Sequence, residues 1–303
     1  MSVGLGDSIT GTDGCESPDP LRIWPLINPS SVGELFLENE TEVRFSVFIG
    51  VLLVMGLWEM LAPRRSTNLP RRSRWLSNLG LLVANALILR FAFPIAAVGA
   101  ASFASQRGWG IMNVMNIPPP IGFLLAIVAL DLLIYGQHVL FHRLPILWRL
   151  HRVHHTDLAF DVTTGVRFHP LEIMLSMVFK MLGVVLLGAP ALAVLAFEVL
   201  LNGLAMFNHS NVKIPGSTDA VLRMFIVTPD MHRVHHSVLP VEHNANYGFC
   251  LPWWDQIFKT YRRQPRDGHG GMVIGLSRFS VSQSLGFFRL LFQPLQKVGE
   301  ERE

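Results

Sequence analysis

The stretch IGFLLAIVALDLLIYGQHVLFH, residues 121–142, is an apolar run that closes on paired histidines. It follows the Pro118-Pro119-Pro120 break and contains one acid, Asp131. Its first part, Ile121 to about Tyr135, reads as a membrane crossing, because the chain around it is far too apolar for a soluble globule. Of 303 residues, 50% are hydrophobic and 16% charged, against roughly 25% charged in ordinary soluble domains. Two cysteines, Cys15 and Cys250, lie far apart and exclude a disulfide scaffold. A net charge of +3, with no basic stripe interleaved with aromatics, gives no sign of a nucleic-acid partner. The sequence is that of an integral membrane protein.

Working outward, Val43–Leu61 (VRFSVFIGVLLVMGLWEML) and about Leu76–Ala101 supply two earlier apolar runs, the second interrupted by Arg90 and Pro94. Each is close to the length of about 20 residues that a crossing requires. Between them Arg64, Arg65, Arg71, Arg72 and Arg74 crowd a short loop, which the positive-inside rule assigns to the cytoplasm. By alternation, the N-terminal tail is expected outside, and Ser102–Pro120 outside or along the interface. The third crossing then returns the chain to the cytoplasm. Leu171–Ala189 and Ala191–Phe207 read as a helical hairpin, hinged at Gly188-Ala189-Pro190, that enters and leaves on the cytoplasmic side. The organisation expected is a polar, weakly ordered tail at 1–40 without a signal peptide, membrane helices at 41–120, a histidine-rich domain at 121–262 and a cytosolic tail at 263–303.

None of the twelve histidines precedes residue 138, so by this topology all lie at or beyond the cytoplasmic face. His138 and His142 are four apart and share a helix face. HRVHH occurs twice, as His151, His154 and His155 and as His232, His235 and His236, each offering three imidazoles in one direction. Eight imidazoles exceed what one ion accepts, so two metal ions are expected; imidazole suits Fe, Zn, Cu and Ni alike. His169 (in RFHP) and His209 (in NHSN) sit where apolar runs meet the cytoplasm and are further candidate ligands. Lone histidines are ordinarily surface or hydrogen-bonded residues, the reading for His243 and His269. Asp131 is a candidate outer acceptor orienting the imidazoles, since a carboxylate in an apolar run requires a partner. Asp157 and Asp255 are weaker candidates for that role, and Trp253 and Trp254 read as interfacial anchors.

At these residues the sequence resembles the fatty acid hydroxylase superfamily, also called the sterol desaturase family. The resemblance rests on HxxxH at 138–142, HxxHH at 151–155 and at 232–236, DLLIYGQHVLFH, and NYGFCLPWWDQIFKTY at 246–261. It covers roughly residues 120–262. It implies an all-α integral membrane protein: four to five membrane helices, including the short hairpin, capped by a cytosolic helical domain that holds a dimetal site. The ligand positions carried over are His138, His142, His151, His154, His155, His232, His235 and His236, with His169 and His209 as accessory positions. It further implies two iron ions, O2 as co-substrate, and hydroxylation or desaturation of an unactivated lipid C–H bond. Hydroxylation is the reading preferred here. The two electrons would come from a separate donor of cytochrome b5 or ferredoxin type, because no fused cytochrome b5 domain is evident. A bacterial inner membrane is the expected location. The competing classes are a metal transporter or sensor, which would carry its ligands at mid-membrane, and a b-type haem protein, which needs fewer histidines.

Overall fold

The computed structural model describes residues 29–67, 69–279 and 285–296. Within these residues the chain is helical, with only two isolated β-bridges, Pro63 with Val212 and Ser237 with Ile274. Helix α1 (Pro29–Glu38) leads into α2 (Glu40–Leu61) and α3 (Arg71–Ala92). α4 (Ala97–Gln106) and the single turn α5 (Ile111–Val114) precede α6 (Pro119–Arg143) and α7 (Pro145–His155). α8 (Pro170–Leu187) and α9 (Ala191–Asn208) form the expected hairpin, followed by the short α10 (Gly216–Leu222) and α11 (Pro229–His235).

Five of the described segments are long and apolar enough to cross a membrane: Glu40–Leu61, Arg71–Val114, Pro119–Arg143, Pro170–Leu187 and Ala191–Asn208. Their outer faces carry exposed Leu53, Leu57, Phe91, Leu124, Leu182 and Leu186, as contact with lipid rather than water requires. The protein is therefore a multi-pass membrane protein. Inside the bundle, α4 brings Ala97, Ala100, Ala101 and Ala104 against α8 and α9, small side chains that let helices approach without a hydrophobic driving force.

Three expectations change. The run expected as one crossing at Leu76–Ala101 is two helices, broken after Ala92 where Pro94 cannot donate to the ladder. The third crossing does not stop near Tyr135. It continues to Arg143, so His138 and His142 occupy its last two turns. Residues 29–38, expected within the polar tail, form α1, which packs on α9; the rest of that tail, residues 1–28, lies outside the described residues.

The hairpin tip lies at the end of the bundle remote from the histidines. There Gly110 (φ 94°) and Gly188 (φ 67°) meet so closely that a Cβ on Gly110 would stand 2.1 Å from the Gly188 nitrogen. At the opposite end the arginine loop is tied to the histidine-bearing layer. Arg64 pairs with Asp230 at 3.0 Å, Arg65 donates to the Met272 carbonyl at 2.8 Å, and buried Arg74 grips Asp157 and Asp161 at 2.8 and 2.7 Å. The Arg74 guanidinium within 3 Å, with Arg167 nearby, holds the Asp157 carboxyl far below its ordinary range despite its burial.

Candidate metal centre

Four elements deliver the histidines: the end of α6, the corner helix α7, the end of α9 and α11 with the turn after it. Pro145 starts α7 immediately after α6 ends at Arg143, and the resulting corner swings the first HRVHH box beneath His138 and His142.

The side chains converge as two sets. His138, His142, His151, His155 and His235 form one, and His154, His209, His232 and His236 the other, with all the ligand nitrogens of each set within 4.8 Å of one another. Each HRVHH box is therefore divided rather than aimed in one direction. Residues i and i+4 of a helix differ by about 40°, whereas i+3 falls about 60° to the other side. His151 and His155 accordingly stay together while His154 crosses to the second set. His232 and His236 stay together while His235 crosses to the first. The two boxes exchange one imidazole each.

Fixed partners decide which nitrogen of several rings is free. A carbonyl oxygen only accepts, so the ring nitrogen facing it must carry the proton. His138 Nδ1 donates to the Tyr247 carbonyl (2.7 Å) and His235 Nδ1 to that of Ala245 (2.7 Å). His209 Nδ1 donates to the Ala205 carbonyl (2.6 Å), and His151 Nδ1 to the Glu172 carboxylate (2.6 Å). The Nε2 atoms of these rings are then bare lone pairs, yet they point at one another. His138 Nε2 lies 3.1 Å from Nε2 of both His151 and His235. His209 Nε2 lies 3.0 Å from Nε2 of His154 and of His232, and 3.2 Å from that of His236.

Facing lone pairs at that distance repel unless a cation stands between them, and ligands about 2.1 Å from a common ion come to lie about 3 Å apart. The donor sets thus fit two metal ions. Burial reinforces the fit: desolvation pushes His151 and His209 down to about 3, and His154, His155, His232, His235 and His236 well below the ordinary imidazole range, so all are neutral donors.

The remaining candidates fall elsewhere. His169 stands outside both sets: as the residue capping α8, its Nδ1 accepts from the Leu171 N–H (3.2 Å) and its Nε2 donates to the Leu291 carbonyl (3.1 Å), leaving no nitrogen for a metal. Asp131 touches no histidine. It accepts from the Cys250 and Leu251 amides (3.2 and 3.1 Å) and from Trp254 Nε1 (2.8 Å). Asp255 accepts from the Tyr247 and Gly248 amides, both at 2.8 Å. The two acids therefore pin the 246–254 strap whose Tyr247 carbonyl orients His138, and they act on the ligands through backbone. Asp157 is consumed by Arg74. Trp254 is fixed by Asp131, whereas Trp253 is partly exposed and donates to the Met224 carbonyl (2.8 Å). His243, though not a member of either set, is buried and stacks on Trp148 with centroids 5.6 Å apart. His269 is buried as well, 3.6 Å from Asp230.

Sequence reasoning did not single out Glu172, which orients His151 from the first turn of α8. Its signal was present: an acid three residues past His169, in an otherwise apolar run. Nor did it find the cavity of about 330 Å³ that opens among α2, α3, α6, α8 and α9 and reaches His138, His151 and Glu172 at one end.

A multi-pass helical membrane protein with two metal-competent histidine sets, the first of them at the end of a cavity in the helix bundle, is thereby defined. The family model for fatty acid hydroxylase matches residues 123–260, which include every ligand candidate. Among curated proteins it is 26% identical to an ornithine lipid hydroxylase, OlsE, of Rhizobium tropici, over 92% of this chain and 85% of that protein. It is 24% identical to human cholesterol 25-hydroxylase, over 80% and 89% respectively. Identity reaches 32% with the alkylglycerol monooxygenase of Danio rerio, across 57% of this chain but 38% of that longer protein. No solved structure matches the chain significantly.

Proposed function

We propose that this chain is a di-iron, O2-dependent oxygenase that hydroxylates an unactivated C–H bond of a membrane lipid. The observation that carries the reading is the convergence of bare Nε2 lone pairs in two buried sets, one of which forms the wall of a cavity inside the membrane bundle. The similarity to an ornithine lipid hydroxylase, an alkylglycerol monooxygenase and a cholesterol 25-hydroxylase supports a lipid substrate, and favours hydroxylation over desaturation. A transporter would need ligands at mid-membrane; here both sets gather at one end of the bundle.

Two bound irons supply the activation of O2 that a saturated carbon requires. In net terms the C–H bond, O2, two electrons and two protons become C–OH and water. The electrons come from a separate donor of cytochrome b5 or ferredoxin type. The chain's own residues prepare this chemistry. Backbone carbonyls of Ala205, Ala245 and Tyr247, with the Glu172 carboxylate, hold four imidazoles in one tautomer and one orientation. Phe168 stacks on His154 at 4.5 Å and Phe249 lies 5.1 Å from His138, keeping water from the ligands. The cavity presents its contents to the first set, through His138 and His151. The five-arginine loop shares the histidine end of the bundle, which by the positive-inside rule supports a cytoplasmic face for that end, and a bacterial inner membrane is the location that goes with this reading.

The test is metal content and lipid mass spectrometry on detergent-purified protein, wild type beside His154→Ala and His235→Ala, with lipids extracted from expressing and non-expressing cells. Two irons per chain in wild type, falling toward one in each variant, together with a lipid one oxygen heavier only when wild type is expressed, are expected. A metal-free wild type with unchanged lipids would overturn the reading. A lipid lighter by two hydrogens would instead establish desaturation.

A further inference from the structure

The end of the cavity remote from the histidines is charged. Arg44 of α2, Lys180 of α8 and Glu198 of α9 all line it. Arg44 Nη2 stands 2.5 Å from Glu198 Oε2, and Lys180 pairs with the other oxygen of the same carboxylate. Lys180 lies ten residues along α8 from Pro170, and Glu198 ten residues before the end of α9. At about 1.5 Å per residue each is roughly 15 Å inside the bundle, near the middle of a hydrocarbon core about 30 Å thick.

Charges at that depth are costly and persist where they face a cavity or one another. A clip that merely joined helices would need one cation and one anion. Here two cations share a single buried carboxylate. The other acid near Arg44, Glu40, stands farther off, its Oε2 at 3.6 Å, beyond hydrogen-bond distance. The walls between the two ends are polar as well. Asn85 Oδ1, Gln137 Oε1 and Glu172 Oε2 are buried without a hydrogen-bond partner among the described residues. A slot for hydrocarbon alone gains nothing from such groups and loses their hydration.

We propose that this cavity receives the acidic end of a lipid, seating an oxyanion, carboxylate or phosphate, on Arg44 and Lys180. Glu198 sets how strongly the two cations hold it. The volume of about 330 Å³ admits a headgroup-sized portion and not a whole two-chain lipid. Lys180 is two helical turns from Glu172, about 12 Å along α8. The carbon presented to His138 and His151 is therefore within about that distance of the oxyanion. This assignment rests on the oxygenase reading only for what happens to the lipid once bound.

Binding tests it without turnover. Dodecyl phosphate, dodecanoate and dodecanol would be titrated against purified full-length protein in neutral detergent, with iron content and circular dichroism recorded for every variant. Wild type is expected to hold phosphate or carboxylate about 10- to 100-fold more tightly than the alcohol, the worth of a hydrogen bond to a charged group. Whichever of the two anions binds better identifies the oxyanion. Lys180→Met should abolish the preference while leaving alcohol binding and iron unchanged, and Lys180→Arg should retain it. Glu198→Gln should strengthen anion binding, since it removes the competing carboxylate. Equal affinity for dodecanol in wild type would overturn the proposal. So would a Glu198→Gln variant that weakens all three ligands alike, the behaviour of a structural clip. Because no electrons or O2 enter these measurements, their failure leaves lipid oxygenation standing, and an inactive enzyme that still discriminates the anions leaves the headgroup site standing.

Discussion

The two histidine sets draw on the same two HRVHH boxes and, His142 apart, are fully buried, yet the protein holds them differently. In the first set three of five rings are aimed by acceptors: His138 by Tyr247, His151 by Glu172 and His235 by Ala245. In the second only His209 has such a partner, in Ala205, while Nδ1 of His154, His232 and His236 is buried without one among the described residues. Those rings are placed by shape: Phe168 lies flat on His154, and Phe160 meets His236 at 4.9 Å. The first set also borders the cavity, through His138 and His151, and the second does not. The difference teaches that the cavity-facing histidine set is oriented by hydrogen bonds to backbone carbonyls and one carboxylate, and that the rear set is held by packing.

The largest effects should come from the ligands themselves and should cross the boundary between boxes. His154→Ala and His155→Ala remove neighbouring residues of one helix, but only the first should empty the rear position and only the second the front one. Metal analysis should fall from two ions toward one in each, with turnover reduced by more than the roughly 100-fold that loss of an outer partner costs. If the two variants lost the same ion, each box would serve a single metal and the exchange of imidazoles would be wrong. Next in size is Glu172→Gln. It keeps an acceptor on His151 but withdraws the charge, and should lower front-site metal affinity or activity about 10- to 100-fold while the rear ion stays. Phe168→Leu is the matching change behind. It should loosen the rear site by less than that, because a leucine still excludes water and His154 loses only a stacking partner worth about 1 kcal/mol. A Phe168 effect larger than that of Glu172 would invert the comparison.

Much of this was legible in sequence, and the gaps have physical causes. Five apolar runs and three histidine boxes follow from composition and spacing, because hydrophobic length and the 3.6-residue period are local properties. The direction of each box was not legible. Spacing at i, i+3 and i+4 places three rings on one broad face, and only the meeting of the two boxes, His155 against His235 and His154 against His236, decides that His154 and His235 lean across. His169 carried the signal of a ligand, a histidine at an apolar boundary, but Pro170 makes that residue a helix cap and both its nitrogens are spent on backbone. Asp131 was recognised as an acid needing partners; that the partners are amides of a strap 119 and 120 residues later is a long-range fact. The Arg44–Glu198–Lys180 group was invisible for the same reason, as its members come from three helices.

The smallest expected effect is one in which the two sets should agree. Their orienting partners differ, but desolvation acts on both: His151 and His209 are each pushed down to about 3, from about 6.5 in an unfolded chain. A group whose folded pKa is depressed binds its proton only on unfolding. Its contribution to stability is complete above about pH 6.5 and declines as pH falls toward 3. Metal-free protein should therefore lose thermal stability on acidification from pH 7 to pH 5, each such imidazole adding about 1.4 kcal/mol per pH unit once the unfolded chain is protonated. His151→Gln and His209→Gln, measured in chelator at a series of pH values, should each flatten that slope by about one proton. Should His151→Gln leave the slope unchanged while His209→Gln flattens it, the front set would already hold a proton in the folded state, on the bond between His151 and Glu172. The distinction between the sets would then extend from orientation to charge.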